Sequence, residues 1–220
     1  MTPMKKPFTV KGMKVTSPKG DALWAKLDKP DREYNAKGQY SVDLVVDPGA
    51  EGVPAFIAKI EKLRDSAFVQ ANEGKPKNKM FTARPVFKEE FDKDGNETGN
   101  IVFKFKMNNV DDRRAGQNTV KLVGPQASAG DIPMVQIGNG SLIRCVAFAN
   151  PYAMSSDKTI GVSLILEKVQ LINLVSFGGT DELDDEVGEL VLPNDGLGDE
   201  EDFENTPIDN GEDGDFDGDF

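Results

Sequence analysis

The segment Phe103-Lys104-Phe105-Lys106-Met107 alternates apolar and basic side chains with a period of two. In an extended chain that period sends Phe103, Phe105 and Met107 to one face and Lys104 and Lys106 to the other. If the aromatic face were exposed, bases could stack on it; but an alternating strand normally buries its apolar face. Two ammonium groups then lie two residues apart along a groove, a spacing that can follow consecutive phosphates. On this segment alone, a solvated lysine face fits the same residues. Further groups of the same kind occur elsewhere. Trp24, Lys26, Tyr34, Lys37 and Tyr40 surround the first long polar loop, Arg113-Arg114 lie in a later loop, and Arg144, Phe148 and Tyr152 lie in and just past another strand. Taken singly, Trp24 and Tyr40 read as core. As a group, cations interleaved with flat rings are what a single-strand binder needs, because charge follows the backbone and a ring receives a base of any identity.

Other chemistry is short of parts. The chain has no histidine, which removes His-based acid-base catalysis and His-ligated metals, and one cysteine cannot build a thiolate zinc site. That cysteine, Cys145, sits in the apolar run Leu142-Ile143-Arg144-Cys145-Val146 and reads as a buried core thiol in a reducing compartment. Asp92, Asp94 and Asn96 hint at calcium but lack the downstream glutamate of an EF-hand loop. No metal or cofactor is expected, and a nuclease reading fails for want of a carboxylate cluster. No apolar run approaches a membrane-spanning length, and the basic N-terminus lacks the apolar stretch of a leader. A soluble, cytoplasmic protein is expected.

The elements that must position these groups are short strands. Phe8 to Thr16 and Ala22 to Leu27 read as a strand pair, Gln39 to Val46 as a clean strand with Tyr40, Val42 and Leu44 on one face, and Val53 to Asn72 as the one amphipathic helix. Val86 to Phe91 and Ile101 to Met107 read as strands joined by a long Asp-Gly hairpin loop. Thr119 to Val123, Ile132 to Ile137, Ser141 to Ala149 and Thr159 to Val175 follow, with turns at Gly138-Asn139-Gly140 and Asn150-Pro151. Within the last run the apolar parity switches from Val162, Leu164 and Leu166 to Val169, Leu171 and Val175, which predicts a β-bulge at Glu167-Lys168. Many short strands and one helix imply a mainly β body, a small barrel or sandwich.

Residues 181–220 are different in kind. They hold 18 acidic and no basic side chains, whereas residues 1–180 hold 26 basic and 20 acidic ones, so a body of about +6 carries an arm of about −18. Dense like charge with little apolar surface cannot offset the entropy of ordering, so a disordered acidic C-terminal arm is expected beyond the hinge Gly178-Gly179. Its end, Asp215-Phe216-Asp217-Gly218-Asp219-Phe220, exposes two rings whose burial is worth about 1.5–3 kcal/mol each. We read Phe216, Asp217, Asp219 and Phe220 as a ligand for another protein. A plain solubilising arm is the alternative.

In this order the chain resembles the replicative single-stranded DNA-binding proteins of short-tailed phages of the T-odd type. The resemblance rests on Gly38-Gln39-Tyr40-Ser41-Val42-Asp43-Leu44, Phe103-Lys104-Phe105-Lys106, Asn150-Pro151-Tyr152, Leu174-Val175-Ser176-Phe177-Gly178-Gly179 and the terminal Gly218-Asp219-Phe220. It implies an OB-fold body over residues 1–180, a five-stranded Greek-key barrel with added strands and one helix, forming a homodimer. It also implies an arm over 181–220 that contacts the replicative DNA polymerase and helicase-primase of an infected bacterial cell. Lys37, Lys106 and Tyr152 fall where that family places DNA-contacting groups. Two residues past Lys106, where the family would place a stacking tyrosine, this chain has Asn108, which leaves Trp24 or Phe148 to supply the platform. The expected contact set is Trp24, Lys26, Lys37, Lys104, Lys106, Arg113, Arg114, Arg144 and Tyr152, in a non-enzymatic protein that coats single-stranded DNA during replication, recombination and repair. An RNA-binding or RNA-chaperone protein of the same fold and a DNA-mimicking interaction factor are the rival readings.

Overall fold

Strict alternation builds the walls of the body. In the computed structural model, which describes residues 7–33, 35–110 and 118–176, the strands are β1 (Met13–Thr16), β2 (Gly20–Asp31), β3 (Gln39–Val46), β4 (Thr82–Ala83), β5 (Lys88–Phe91) and β6 (Glu97–Asn108). They continue with β7 (Lys121–Val123), β8 (Asp131–Ile132), β9 (Leu142–Met154) and β10 (Thr159–Asn173), and α1 (Val53–Asn72) lies between β3 and β6. Tyr34, Arg113, Arg114, the Gly178-Gly179 hinge and the arm with Phe216, Asp217, Asp219 and Phe220 lie outside the described residues.

Five of these strands close a ring. β9 pairs with β2, β2 with β3, β3 with β6, β6 with β10, and β10 back to β9. All of these pairings are antiparallel except β6 with β10, which meet in parallel at Leu164↔Phe105 and Ile165↔Lys106. A three-strand meander whose last strand runs parallel to the fifth is the Greek-key barrel of the OB-fold. Long β10 keeps β9 along one edge and shares its other edge among β4, β6 and β7.

Inward-facing Val42, Leu44, Phe103, Phe105, Ile143, Cys145, Leu166 and Leu171 fill the barrel with no exposed surface. Burial pushes the Cys145 thiol well up, so it is a packing group. The expected parity switch is present: the β9–β10 register slips between Leu166 and Lys168, and buried positions change from Leu164 and Leu166 to Val169 and Leu171. The bulge lets one long strand serve two curved walls. Helix α1 packs Val53, Phe56, Ile60 and Leu63 on the same core, Phe56 meeting Phe103 edge-on with ring centroids 5.1 Å apart. At its end the Asn72 side chain accepts from Phe81 N–H at 2.7 Å and donates to Phe81 O at 3.2 Å, pairing the returning chain as a strand neighbour would.

Three expectations are corrected. Asn150-Pro151 is no turn: β9 runs through it to Met154, and the reversal comes at residues 155–158. Among the described strands β1 stops pairing with β9 at Ala149, so Pro151 lies past the stretch where β9 has a strand on both sides. The Ile132–Ile137 strand shrinks to Asp131–Ile132, paired with β7. The hairpin loop is only 92–96, because β6 begins at Glu97; Asp92 Oδ1 accepts the N–H groups of Asp94 and Asn96 at 2.9 and 2.8 Å, spending on the turn an oxygen that a cation would need.

Candidate nucleic-acid interface

The outward residues of the first three barrel strands share a face by register. Lys26 lies opposite Ser41 and Ser41 opposite Lys106, while Asp43 lies opposite Lys104 and Gln39 opposite Asn108. Because their alternate neighbours fill the core, these side chains point to solvent. Trp24, Lys26, Asp31, Asn35, Gln39, Ser41, Asp43 and Lys104 line a groove of about 250 Å³ on this face.

Trp24, which taken singly reads as core and as part of the basic-aromatic group reads as a contact, is 66% exposed. Simple alternation would send it inward with Ala22. A register slip between Leu23 and Lys26 reverses the parity, so that Leu27 becomes the next buried residue and Trp24 is thrown outward. Its φ of 52° is left-handed, a conformation that costs a non-glycine residue of order 1–3 kcal/mol and concentrates at functional sites. Its backbone N–H donates to Asn139 Oδ1 at 2.9 Å. Tyr40, by contrast, is core.

The groove cations are held by carboxylates to different degrees. Lys26 Nζ lies 2.6 Å from Asp31 Oδ2, and Lys104 Nζ 3.7 Å from Asp43 Oδ1. The Lys26 ammonium, followed by the Glu33 backbone N–H, holds the Asp31 carboxyl below its usual range, so the pair is charged at neutral pH. Lys106 has no ion-pair partner among the described residues. Lys37 is exposed between the groove residues Asn35 and Gln39 in sequence, on a turn where its N–H and that of Gly38 bond Asn35. Asn108 accepts from Gln39 Nε2 at 2.9 Å, so the position that lacks a ring carries part of a polar floor.

The remaining expected residues are spread around the barrel. Beyond Lys106, the register continues to Ile165 and then Phe148, both more than a third exposed, and the Phe148 ring lies over Gly12. Tyr152 lies near the β9–β10 turn, across Gly161: a Cβ there would stand 2.6 Å from the phenolic oxygen, so a larger residue would displace the ring. Arg84, which sequence reasoning passed over, joins this end by bonding Asp157 at 2.9 Å. Arg144 sits opposite Gln170 at the other end of β9, on the order of 25 Å along the strand from Tyr152, and outside the groove. Sequence reasoning also missed Gln39, Ser41 and Asp43, whose outward parity was available in the alternation of β3, and Asn139, which no local pattern ties to Trp24.

The chain matches known proteins over most of its length. The family described as "Single-stranded DNA-binding protein, Bacteriophage T7" matches residues 20–174. The single-stranded DNA-binding protein of Enterobacteria phage T3 is 30% identical over 203 residues, covering 85% of each chain. That of Escherichia phage T7 is 30% identical over 183 residues, covering 76% of this chain and 78% of the relative. Among solved structures, gp2.5, a single-stranded DNA-binding protein encoded by bacteriophage T7, superposes with a TM-score of 0.57 at 24% identity, over 82% of this chain and all of that one, a likeness of fold.

Proposed function

The chain belongs to the bacteriophage T7 single-stranded DNA-binding protein family, and from that premise we propose that it coats single-stranded DNA without regard to sequence. The observation that carries the reading is the exposed indole of Trp24 beside Lys26 and Lys104 in one groove on the barrel exterior. Cations track the phosphates, and the ring stacks on whichever base arrives. Lys106 and Lys37 extend the charge, and Tyr152 supplies a second ring at the far end of β9. Binding only the unpaired state removes hairpins by mass action, with no chemical step.

The acidic arm is the natural competitor for this groove. An arm of about −18 tethered to a body of about +6 acts at high local concentration, so it lowers affinity for DNA until a partner removes it. Its terminal Phe220, with Phe216, Asp217 and Asp219, offers the replicative polymerase and helicase-primase a ring beside a carboxylate. Acidity sets the encounter and the ring the residence time. A homodimer in the cytoplasm of an infected bacterial cell completes the reading.

The test is anisotropy of labelled oligo-dT, mixed-sequence single strands, matching RNA and matching duplex with the intact protein and with residues 1–180. Comparable binding of the two DNA single strands, weak duplex binding, and tighter binding without the arm at low salt are expected. Preference for RNA or duplex, or no binding, overturns the proposal.

A further inference from the structure

We propose that Asn139 is a positioning residue for base recognition: its side-chain carbonyl holds the Trp24 backbone in the bulge that turns the indole out over the groove. The inference rests on the reading of Trp24 as a base platform. The slip between Leu23 and Lys26 takes residues 24 and 25 out of the β2–β3 ladder, so the Trp24 N–H loses its strand partner. Its replacement acceptor comes from 115 residues away, Asn139 Oδ1 at 2.9 Å.

Asn139 is presented from a fixed base. Gly138 N–H donates to Val175 O and Gly140 N–H to Ala22 O, both at 2.9 Å. The fully buried Ser141 hydroxyl lies 2.8 Å from Gly138 O and accepts the Val175 N–H at 2.9 Å. A Cβ at position 138 would stand 2.5 Å from Val175 O, so the turn sits directly against the chain after β10. The Asn139 side chain itself is exposed and belongs to no core, so its truncation leaves the packing intact. What truncation removes is the acceptor that makes a left-handed tryptophan tolerable. Trp24 then relaxes toward the extended region and the indole leaves the groove, while Lys26, Lys104 and Lys106 stay in place.

Trp24 is the only tryptophan of the chain, so its emission reports on the platform directly. Full-length protein is titrated with oligo-dT, following indole quenching and the salt dependence of affinity, for wild type, Asn139→Ala and Asn139→Asp. Wild type should be strongly quenched. Asn139→Ala should keep the thermal midpoint and the salt slope, lose most of the quench at saturation, and bind about fivefold more weakly, the low end of one base-stacking contact. Asn139→Asp restores a carboxyl acceptor and should recover the quench, read at high salt where its added charge is screened. Full quenching in Asn139→Ala, or none recovered in Asn139→Asp, overturns the assignment. Wild type that binds oligo-dT with unchanged emission sinks this inference alone; wild type that binds no oligo-dT sinks the functional reading as well.

Discussion

Lys106, Lys104 and Lys26 should not contribute equally to the salt dependence of binding, although all three face the same side of the barrel. Each phosphate neutralised on a single strand contributes about 0.7 to the slope of log affinity against log salt, through release of a condensed cation. Lys106 has no carboxylate partner among the described residues, so Lys106→Ala should lose the full value of about 0.7. Between 50 and 200 mM salt its deficit against wild type should therefore shrink about 2.6-fold. Lys26 starts in a 2.6 Å pair with Asp31. When a phosphate takes its ammonium, Asp31 is left to recruit a cation of its own, which cancels much of the release. Lys26→Ala should flatten the slope much less, and Lys104, 3.7 Å from Asp43, should fall between. Asp31→Asn should do the reverse, tightening binding at low salt and steepening the slope. Since Asp31 is held ionised below the ordinary carboxylate range, that effect should be equal at pH 6 and pH 8. Anisotropy of labelled oligo-dT across a salt series measures all four variants. Equal slope losses for Lys26→Ala and Lys106→Ala, or an inert Asp31→Asn, would refute the assignment of paired and unpaired cations.

Tyr152→Ala should cost roughly 1–3 kcal/mol of single-strand affinity with little change in salt slope, and Gly161→Ala, which drives a methyl into that ring, should reproduce part of the loss. Phe220→Ala leaves net charge unchanged, so it should spare DNA binding yet sharply weaken capture of the cognate polymerase in a pull-down at moderate salt; full capture would make the arm a plain polyanion. Phe103→Ala, in the centre of the barrel between Phe56 and Phe87, should lower folding stability by about 3–5 kcal/mol in urea unfolding, with a cost under about 1 kcal/mol arguing against the packed core described.

The barrel walls were legible because they obey period-two alternation: Gln39–Val46 has the bounds expected from that pattern, the bulge after Leu166 was visible as a change of parity, and helix Val53–Asn72 was legible from its helical spacing instead. Local pattern alone put Trp24 in the core, although its company of cations and rings pointed outward. Within a strand as short as Ala22 to Leu27, one parity change between Ala22 and Leu27 has too few residues on either side to stand out. Pro151 marked a turn by its local chemistry, but loss of β1 as a neighbour at Ala149 made a strand position acceptable, and that depends on distant pairing. The cations of the site were visible as residues, whereas their division into Lys26 with Asp31 and a Lys106 without an ion-pair partner among the described residues arises from loop closure. The bond from Trp24 to Asn139 likewise joins segments related only by the closed barrel.

The central claim is that single-stranded DNA lies over the outer face of β2, β3 and β6. Photocross-linking intact protein to an iodouracil-substituted oligonucleotide, with peptides mapped by mass spectrometry, tests that placement directly. Adducts on Trp24 in β2, with weaker labelling at Tyr152 near the β9–β10 turn, are expected, and competition by unlabelled oligo-dT should remove them. Adducts confined to the exposed Val69 face of α1 or to Phe91 at the tip of the β5–β6 hairpin would contradict it.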